Sequence, residues 1–163
     1  MNTQHPQTFI EHRGFAAEVD EEIAPLILEM WRAGIPTMLS CQDNGGDGAG
    51  GRIWIALPAG AAEFFLTIAA GEYSDDIDSL YNRVVRGFVP EAWEEFRERR
   101  AWHYDSTAMD VSLDLDSDGD VTLTGPTEVM LAAHVRFPRG DLDEVLKRMR
   151  AHNEHSRHEQ RSQ

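Results

Sequence analysis

The sequence predicts an α+β fold, a single two-layer domain with helices on one face of a mixed or antiparallel sheet of about five strands. Residues 20–34 carry apolar side chains at helical spacing, and residues 141–153 do so again near the end of the chain. Between them, residues 52–57 and 128–137 alternate with the period of two that is typical of strands. A chain of 163 residues is long enough for one such domain with its own core.

The first predicted helix begins near Asp20, where three consecutive acidic residues suit the positive end of a helix dipole. Its apolar face consists of Ile23, Leu26, Ile27, Met30 and Trp31. We expect Gly34 to end it, because glycine is common just after the last turn of a helix. Two short strands should follow, over residues 36–41 and 52–57, with a glycine-rich connection between them.

The middle of the chain predicts three helical segments, over residues 59–70, 75–86 and 90–100. From residue 101 the period changes to two, which predicts a long strand over residues 102–115. The apolar positions in its two halves are out of phase. A bulge or bend near residues 105–108 would reconcile them.

The last predicted elements are a return strand over residues 121–124, a strand over residues 128–137 and a closing helix after Gly140. The polar segments at both ends of the chain lack periodicity, as loose termini usually do. We therefore expect a flexible arm over residues 1–14, one α+β domain over residues 15–152 and a disordered tail over residues 153–163.

Two patterns suggest metal ligands, but neither is complete. Residues 114–120 resemble the start of a calcium-binding loop, yet the twelfth position is Gly125 where a bidentate glutamate is needed. The alternation on both sides of this run predicts a hairpin instead. The three histidines of the tail are spaced three residues apart, with no thiol or carboxylate placed to complete a shell. No metal site and no cofactor is predicted.

Cys41 is the only cysteine in the chain. One cysteine cannot form an intrachain disulfide, which suits a reducing cytoplasm. As a nucleophile it would need a nearby base, and no sequence pattern places His103 or His134 beside it. A small buried residue at a strand end is the favoured interpretation. We therefore predict no catalytic residue, and the sequence favours a protein that is not an enzyme.

The connection over residues 42–51 contains five glycines. It lacks the lysine and the directly following helix of a phosphate-binding loop, so it does not predict one. Loops at the ends of strands nevertheless often carry function. The candidate ligand-binding residues are therefore Cys41, Gln42, Arg52, Trp54 and His134.

The block VDEEIAPLILEMWRAGIPTMLSCQD contains a helix with D-x-x-I-x-P-L-I, a G-I-x-T turn and a Ser-Cys-Gln motif. The positions concerned are Asp20, Ile23, Pro25, Leu26, Ile27, Gly34, Ile35, Thr37, Ser40, Cys41 and Gln42. Over residues 19–57 the chain resembles a family of small, mostly uncharacterised actinobacteriophage proteins with a Ser-Cys-Gln-Gly-type motif. More distantly, the element order is similar to the start of the wybutosine-synthesis methyltransferase family. The phage resemblance implies an accessory protein and brings no known chemistry.

The formal net charge of −14 repels nucleic acid and anionic lipid and favours basic partners. Together with the accessory role that the phage resemblance implies, this charge leads us to expect a small, acidic, cytoplasmic, phage-borne accessory protein that binds a host or defence protein with a basic surface, without catalysis. Two alternatives stay open: a nucleotide-like ligand site or enzyme around Cys41, and a nucleic-acid mimic that inhibits a basic groove. No segment reaches the roughly 18 apolar residues of a membrane span, and direct binding to nucleic acid is disfavoured.

Overall fold

The computed structural model describes residues 5–42, 51–86, 101–112 and 128–161. Four predicted features lie outside these residues. They are most of the glycine-rich connection, the third middle helix, the calcium-like run and the return strand.

The described residues form an α+β fold, which confirms the predicted fold class. The strands are β1 Gln7–His12, β2 Phe15–Asp20, β3 Leu39–Cys41, β4 Arg52–Pro58, β5 His103–Ser112 and β6 Glu128–Pro138. The helices are α1 Ala24–Arg32, α2 Ala59–Ala70, α3 Leu80–Arg86 and α4 Leu142–Arg161. A single 3₁₀ turn, Arg139–Asp141, leads into α4.

The strands form two antiparallel sheets. β1 and β2 pair as a hairpin, and the four-stranded sheet has the order β3-β4-β6-β5. A register shift between Ala108 and Asp110 interrupts the β5–β6 pairing. This irregularity lies next to the bulge that the sequence predicts near residues 105–108.

The core lies between one face of the four-stranded sheet and the helices. The sheet contributes the fully buried Ile53, Ile55, Leu57, Val135 and Phe137. Trp102 stacks on Phe137 with ring centroids 4.5 Å apart and on Phe65 of α2 at 6.2 Å. Full burial of an apolar side chain of this size contributes about 1.5–3 kcal/mol to stability.

The N-terminal part of the chain differs from the prediction. Residues 7–12, which the sequence predicts as a flexible arm, form β1 of the hairpin. The hairpin turn consists of Arg13 and Gly14, whose φ angles are 46° and 90°. Helix α1 begins at Ala24 and not near Asp20, because Asp20 ends β2 and its buried carboxylate accepts a hydrogen bond from the backbone of Gln42.

The C-terminal residues also differ from the prediction. Helix α4 continues to Arg161, whereas the sequence predicts a disordered tail from residue 153. Asn153 anchors this part of α4 to α1. It is 5% exposed, and its side-chain amide donates to the backbone carbonyl of Glu29 at 2.9 Å and to the Glu29 carboxylate at 2.8 Å.

None of the helices in the described ranges combines the length and the apolar character needed to cross a lipid bilayer.

Candidate functional site

Four of the five predicted site residues share the face of the four-stranded sheet that points away from the core, here called the outer face. Cys41 is paired with Trp54 on the next strand, and Trp54 is paired with Arg136. Arg52 lies two residues before Trp54 on the same strand, and His134 lies two residues before Arg136. Because side chains alternate along a strand, these residues all point to the same side.

Gln42 does not belong to this group. Its side-chain oxygen accepts a hydrogen bond from the backbone of Glu22 at 3.0 Å, and its amide nitrogen lies 2.8 Å from His5 Nδ1. Its own backbone N–H donates to Asp20. The side chain is 8% exposed. Gln42 therefore ties the end of β3 to the β1–β2 hairpin, and these contacts account for its burial.

Cys41 and His134 lie on strands that are separated by β4. Two strand spacings amount to roughly 10 Å, which is too far for a histidine to take a proton from the thiol. The structure therefore does not place the imidazole of His134 within reach of the Cys41 thiol.

His134 forms a polar row with two residues of β5. Its Nδ1 lies 2.9 Å from Asp105 Oδ1, and its Nε2 lies 3.3 Å from the hydroxyl of Thr107. This is the order of groups found in an acyl-transfer triad. Asp105 is directly opposite His134 in the register, and Thr107 follows two residues later on the same side. The strand pairing alone accounts for the row, and Asp105 also binds Arg136.

The other two outer-face candidates are also held by neighbours. Arg52 is 8% exposed and donates from Nη1 to the carbonyl of Ala101 at 2.9 Å. The indole of Trp54 meets the ring of His134 edge-on, with centroids 5.5 Å apart. Its Nε1 is buried and makes no hydrogen bond within the described part of the chain. The outer face is a packed polar layer, and the ligand site predicted on it stays a prediction.

A different feature, an open apolar pocket of about 510 Å³, lies between α2, α3 and the edge of the sheet formed by β5 and β6. We call it the α2–α3 pocket. Its principal walls are Leu66, Tyr81, Val84, Val85, Tyr104 and Val135. Glu63 and Thr67, both exposed, stand on its α2 side. No sequence pattern identifies this pocket, because its walls come from four elements far apart in the chain.

The pocket presents almost no polar groups. The hydroxyl of Tyr104 donates to the carbonyl of Val84 at 2.9 Å, so this tyrosine offers its ring to the pocket. Burial raises the pKa of the Tyr104 phenol well above its ordinary value of 10.0. Small-molecule sites normally carry a few converging polar groups that fix the ligand's orientation. The α2–α3 pocket is better suited to an apolar side chain.

A well-defined acidic loop lies next to the pocket. It connects α2 to α3 over residues 71–79, begins at the pocket residue Gly71, and carries Glu72, Asp75, Asp76 and Asp78. The side-chain amide of Asn82 donates to the carbonyls of Ser74 and Asp76, both at 2.8 Å. The sequence predicts a helix from residue 75, but helix α3 begins at Leu80. Side-chain hydrogen bonds of this kind stabilise a turn in place of a helical start.

Exposed apolar side chains accompany these carboxylates. Tyr73 is 72% exposed, Ile77 41% and Val85 37%. The ring of Tyr73 meets Tyr81 of the pocket wall with centroids 5.4 Å apart. The hydroxyl of Tyr73 donates to Asp75 at 2.6 Å, and this hydrogen bond raises the pKa of Tyr73. Pocket and loop therefore form one continuous apolar and acidic surface.

The charge of this surface follows from a feature of the sequence. Between Arg52 and Arg83 there is no lysine or arginine, while the same stretch contains five acidic residues. They are Glu63, Glu72, Asp75, Asp76 and Asp78. The acidic run in this stretch was the available signal for the surface, although it does not reveal the neighbouring pocket.

No family model, no curated protein and no solved structure matches the chain. Within the described ranges, no group of His, Cys, Asp or Glu side chains is arranged to hold a metal ion. The candidate functional site is the surface formed by the α2–α3 pocket and the acidic loop.

Proposed function

We propose that the protein binds a partner protein through the α2–α3 pocket and the acidic loop, without catalysing a reaction. The partner presents a basic segment with one large apolar side chain. That side chain enters the pocket, and the flanking lysines or arginines face the loop. The observation that carries the proposal is the apolar pocket of about 510 Å³ directly beside four exposed carboxylates.

The α2–α3 pocket and the acidic loop should contribute to binding in different ways. An apolar anchor that fills a pocket is the usual centre of a binding hot spot, and its truncation commonly costs about 2 kcal/mol or more. The carboxylates lie outside the pocket in high dielectric, so each contributes less to affinity and more to the rate and selectivity of association. Binding should therefore weaken with salt without disappearing.

The resemblance to actinobacteriophage proteins suggests where the partner comes from. A phage-borne accessory protein acts in its host, so a host or defence protein with a basic surface is the expected partner. The chain's net charge of −14 supports the same choice, because it disfavours nucleic acid and anionic lipid as ligands.

Affinity capture from an actinobacterial lysate tests the proposal with four baits. They are the wild type, Val85→Glu in the pocket wall, a loop variant and a control. The loop variant combines Glu72→Gln, Asp75→Asn, Asp76→Asn and Asp78→Asn, which removes four charges but keeps hydrogen-bond acceptors. The control is Phe9→Glu, which changes a 63% exposed side chain on β1 in the same way as Val85→Glu.

The proposal predicts a protein that the wild type and Phe9→Glu retain equally and that Val85→Glu loses. The loop variant should retain it weakly, and moderate salt should reduce its capture by the wild type. If every protein retained by the wild type is also retained by Val85→Glu, or if none is retained at low salt, the proposal is wrong.

A further inference from the structure

A second cavity, of about 530 Å³, lies on another part of the molecule. The β1–β2 turn, the end of α1, helix α2 and the last part of α4 surround it. It is therefore built partly from the predicted flexible arm, residues 1–14, and the predicted disordered tail, residues 153–163. We call it the turn pocket.

The turn pocket is cationic in a protein of net charge −14. Arg13, Arg32 and Arg157 line it together with the imidazoles of His12 and His152. Among the described residues that line the cavity, none is an aspartate or a glutamate. A lining with three arginines and no carboxylate is an environment that favours an anion.

Several donors in this pocket remain available. Arg32 uses Nη1 for Glu29 at 2.6 Å, and Arg157 uses Nε for the carbonyl of Asn153 at 3.1 Å. Within the described ranges, neither Arg13 nor Arg157 forms an ion pair with a carboxylate.

The backbone at Arg13 supports a role for its side chain. Arg13 and Gly14 both have positive φ, 46° and 90°, in a two-residue hairpin turn. Turns of this kind favour Asn-Gly, because a long side chain in the left-handed region is strained. Such strain is typical of functional positions. Arg13 is one of the residues that line the turn pocket.

One wall of the turn pocket is aromatic. Phe64 of α2 is 42% exposed, and it meets the ring of His152 edge-on with centroids 5.3 Å apart. An exposed aromatic face beside guanidinium groups can stack a planar ring while the guanidinium groups bind an attached phosphate. The cavity volume lies within the roughly 300–1,000 Å³ range of small-molecule sites.

We propose that the turn pocket binds a small phosphate-bearing molecule with a planar ring, of the nucleoside monophosphate class. Arg13 and Arg157 hold the phosphate, and Phe64 stacks against the ring. The turn pocket is separate from the α2–α3 pocket. The proposal for one can therefore be wrong while the proposal for the other is right.

Calorimetric titration at low salt with AMP, adenosine and inorganic phosphate tests the proposal. The variants are Arg13→Asn, Arg157→Gln and Phe64→Ala. Lys147→Gln is the matched control, because it removes one positive charge from α4 at a side chain that is 78% exposed and outside the pocket. Thermal unfolding of each variant checks the fold.

The wild type and Lys147→Gln should bind AMP equally, and both adenosine and phosphate should bind at least about tenfold more weakly. Each pocket variant should lose about tenfold or more in AMP affinity. Arg13→Asn should do so with an unchanged or higher Tm, because asparagine suits the turn. The proposal is wrong if AMP does not bind, if Arg13→Asn and Arg157→Gln bind it like the wild type, or if phosphate alone binds as tightly.

Discussion

The hydroxyl of Tyr104 donates a hydrogen bond to the backbone carbonyl of Val84, 2.9 Å away. Val84 belongs to α3, and Tyr104 belongs to β5. The bond therefore joins α3 to β5, and it occupies one of the hydroxyl groups in the pocket wall. It thereby contributes to the apolar character of the α2–α3 pocket.

Tyr104→Phe should lower the free energy of unfolding by about 1 kcal/mol near neutral pH, the usual effect of losing one hydrogen bond. The pocket should keep its shape, because the ring remains. Urea unfolding measures the change, and capture of the partner should be unaffected. Unchanged stability would mean that the Val84 carbonyl finds an equivalent partner in the variant.

Tyr104 should also make the protein sensitive to alkali. Its phenol has a raised pKa in the folded state, so above pH 10 the unfolded chain loses a proton that the folded protein keeps. The contribution of the Tyr104 phenol to the free energy of unfolding is complete below pH 10. It falls as the pH rises, by at most about 1.4 kcal/mol per pH unit. Urea unfolding between pH 9 and roughly 11 should show this loss. Tyr104→Phe should remove most of it, whereas Tyr73→Phe, at an exposed position, should not.

Gly71→Ala should destabilise the protein by about 1–3 kcal/mol. Gly71 ends α2 with φ 66° and ψ −150°, a conformation that essentially only glycine adopts. A Cβ there would lie 2.7 Å from Arg148 Nη1, which donates to the carbonyls of Ala69 and Ala70. The substitution would therefore also disturb the cap of α2. The change in unfolding free energy measures the effect.

Gly60→Ala is the matched control for that substitution. Gly60 lies in the same helix, and a Cβ there would meet nothing within 4 Å. Alanine is the better helix former by about 1 kcal/mol, so this variant should be as stable as the wild type or more so. Equal destabilisation by both substitutions would contradict the explanation of Gly71.

Asp141→Ala should cost about 3–5 kcal/mol, because it leaves a partly buried arginine without its partner. Arg83 Nη2 lies 2.7 Å from Asp141 Oδ1, and the indole of Trp102 donates to Oδ2 at 2.9 Å. Asp143→Ala, at an exposed position two residues later, should change stability by at most about 1 kcal/mol. Thermal or urea unfolding compares the two. Similar effects would show that the Asp141 contacts carry little net stability.

The elements predictable from the sequence were those with strong periodicity. The apolar stripe from Ile23 to Trp31 predicts α1, and the alternation around Ile53 and Val135 predicts β4 and β6. The sequence does not predict the β1–β2 hairpin, because its turn is Arg13-Gly14, which is not one of the common hairpin signals. The sequence does not predict the end of α4, because this polar part of the helix is anchored by one buried residue, Asn153, whose partner lies 124 positions away.

The sites were less predictable than the elements. Cys41, Trp54, Arg52 and His134 share a face because strand alternation is regular, and that much follows from the register. Gln42 directly follows Cys41, so the same alternation turns its side chain away from that face. Both pockets depend on side chains from distant elements, so only tertiary packing reveals them. Of the surface formed by the α2–α3 pocket and the acidic loop, only the charge pattern, acidic from Glu63 to Asp78, can be read from the sequence alone.

The most direct test of the proposed function is the affinity of a captured partner, measured by biolayer interferometry for the wild type, Val85→Glu and Phe9→Glu. We expect Val85→Glu to weaken binding at least about tenfold, because a carboxylate would stand in the apolar wall that holds the anchor. Phe9→Glu should bind like the wild type, and salt should weaken all binding. Equal affinity of Val85→Glu and the wild type would contradict the claim that the partner is held in the α2–α3 pocket.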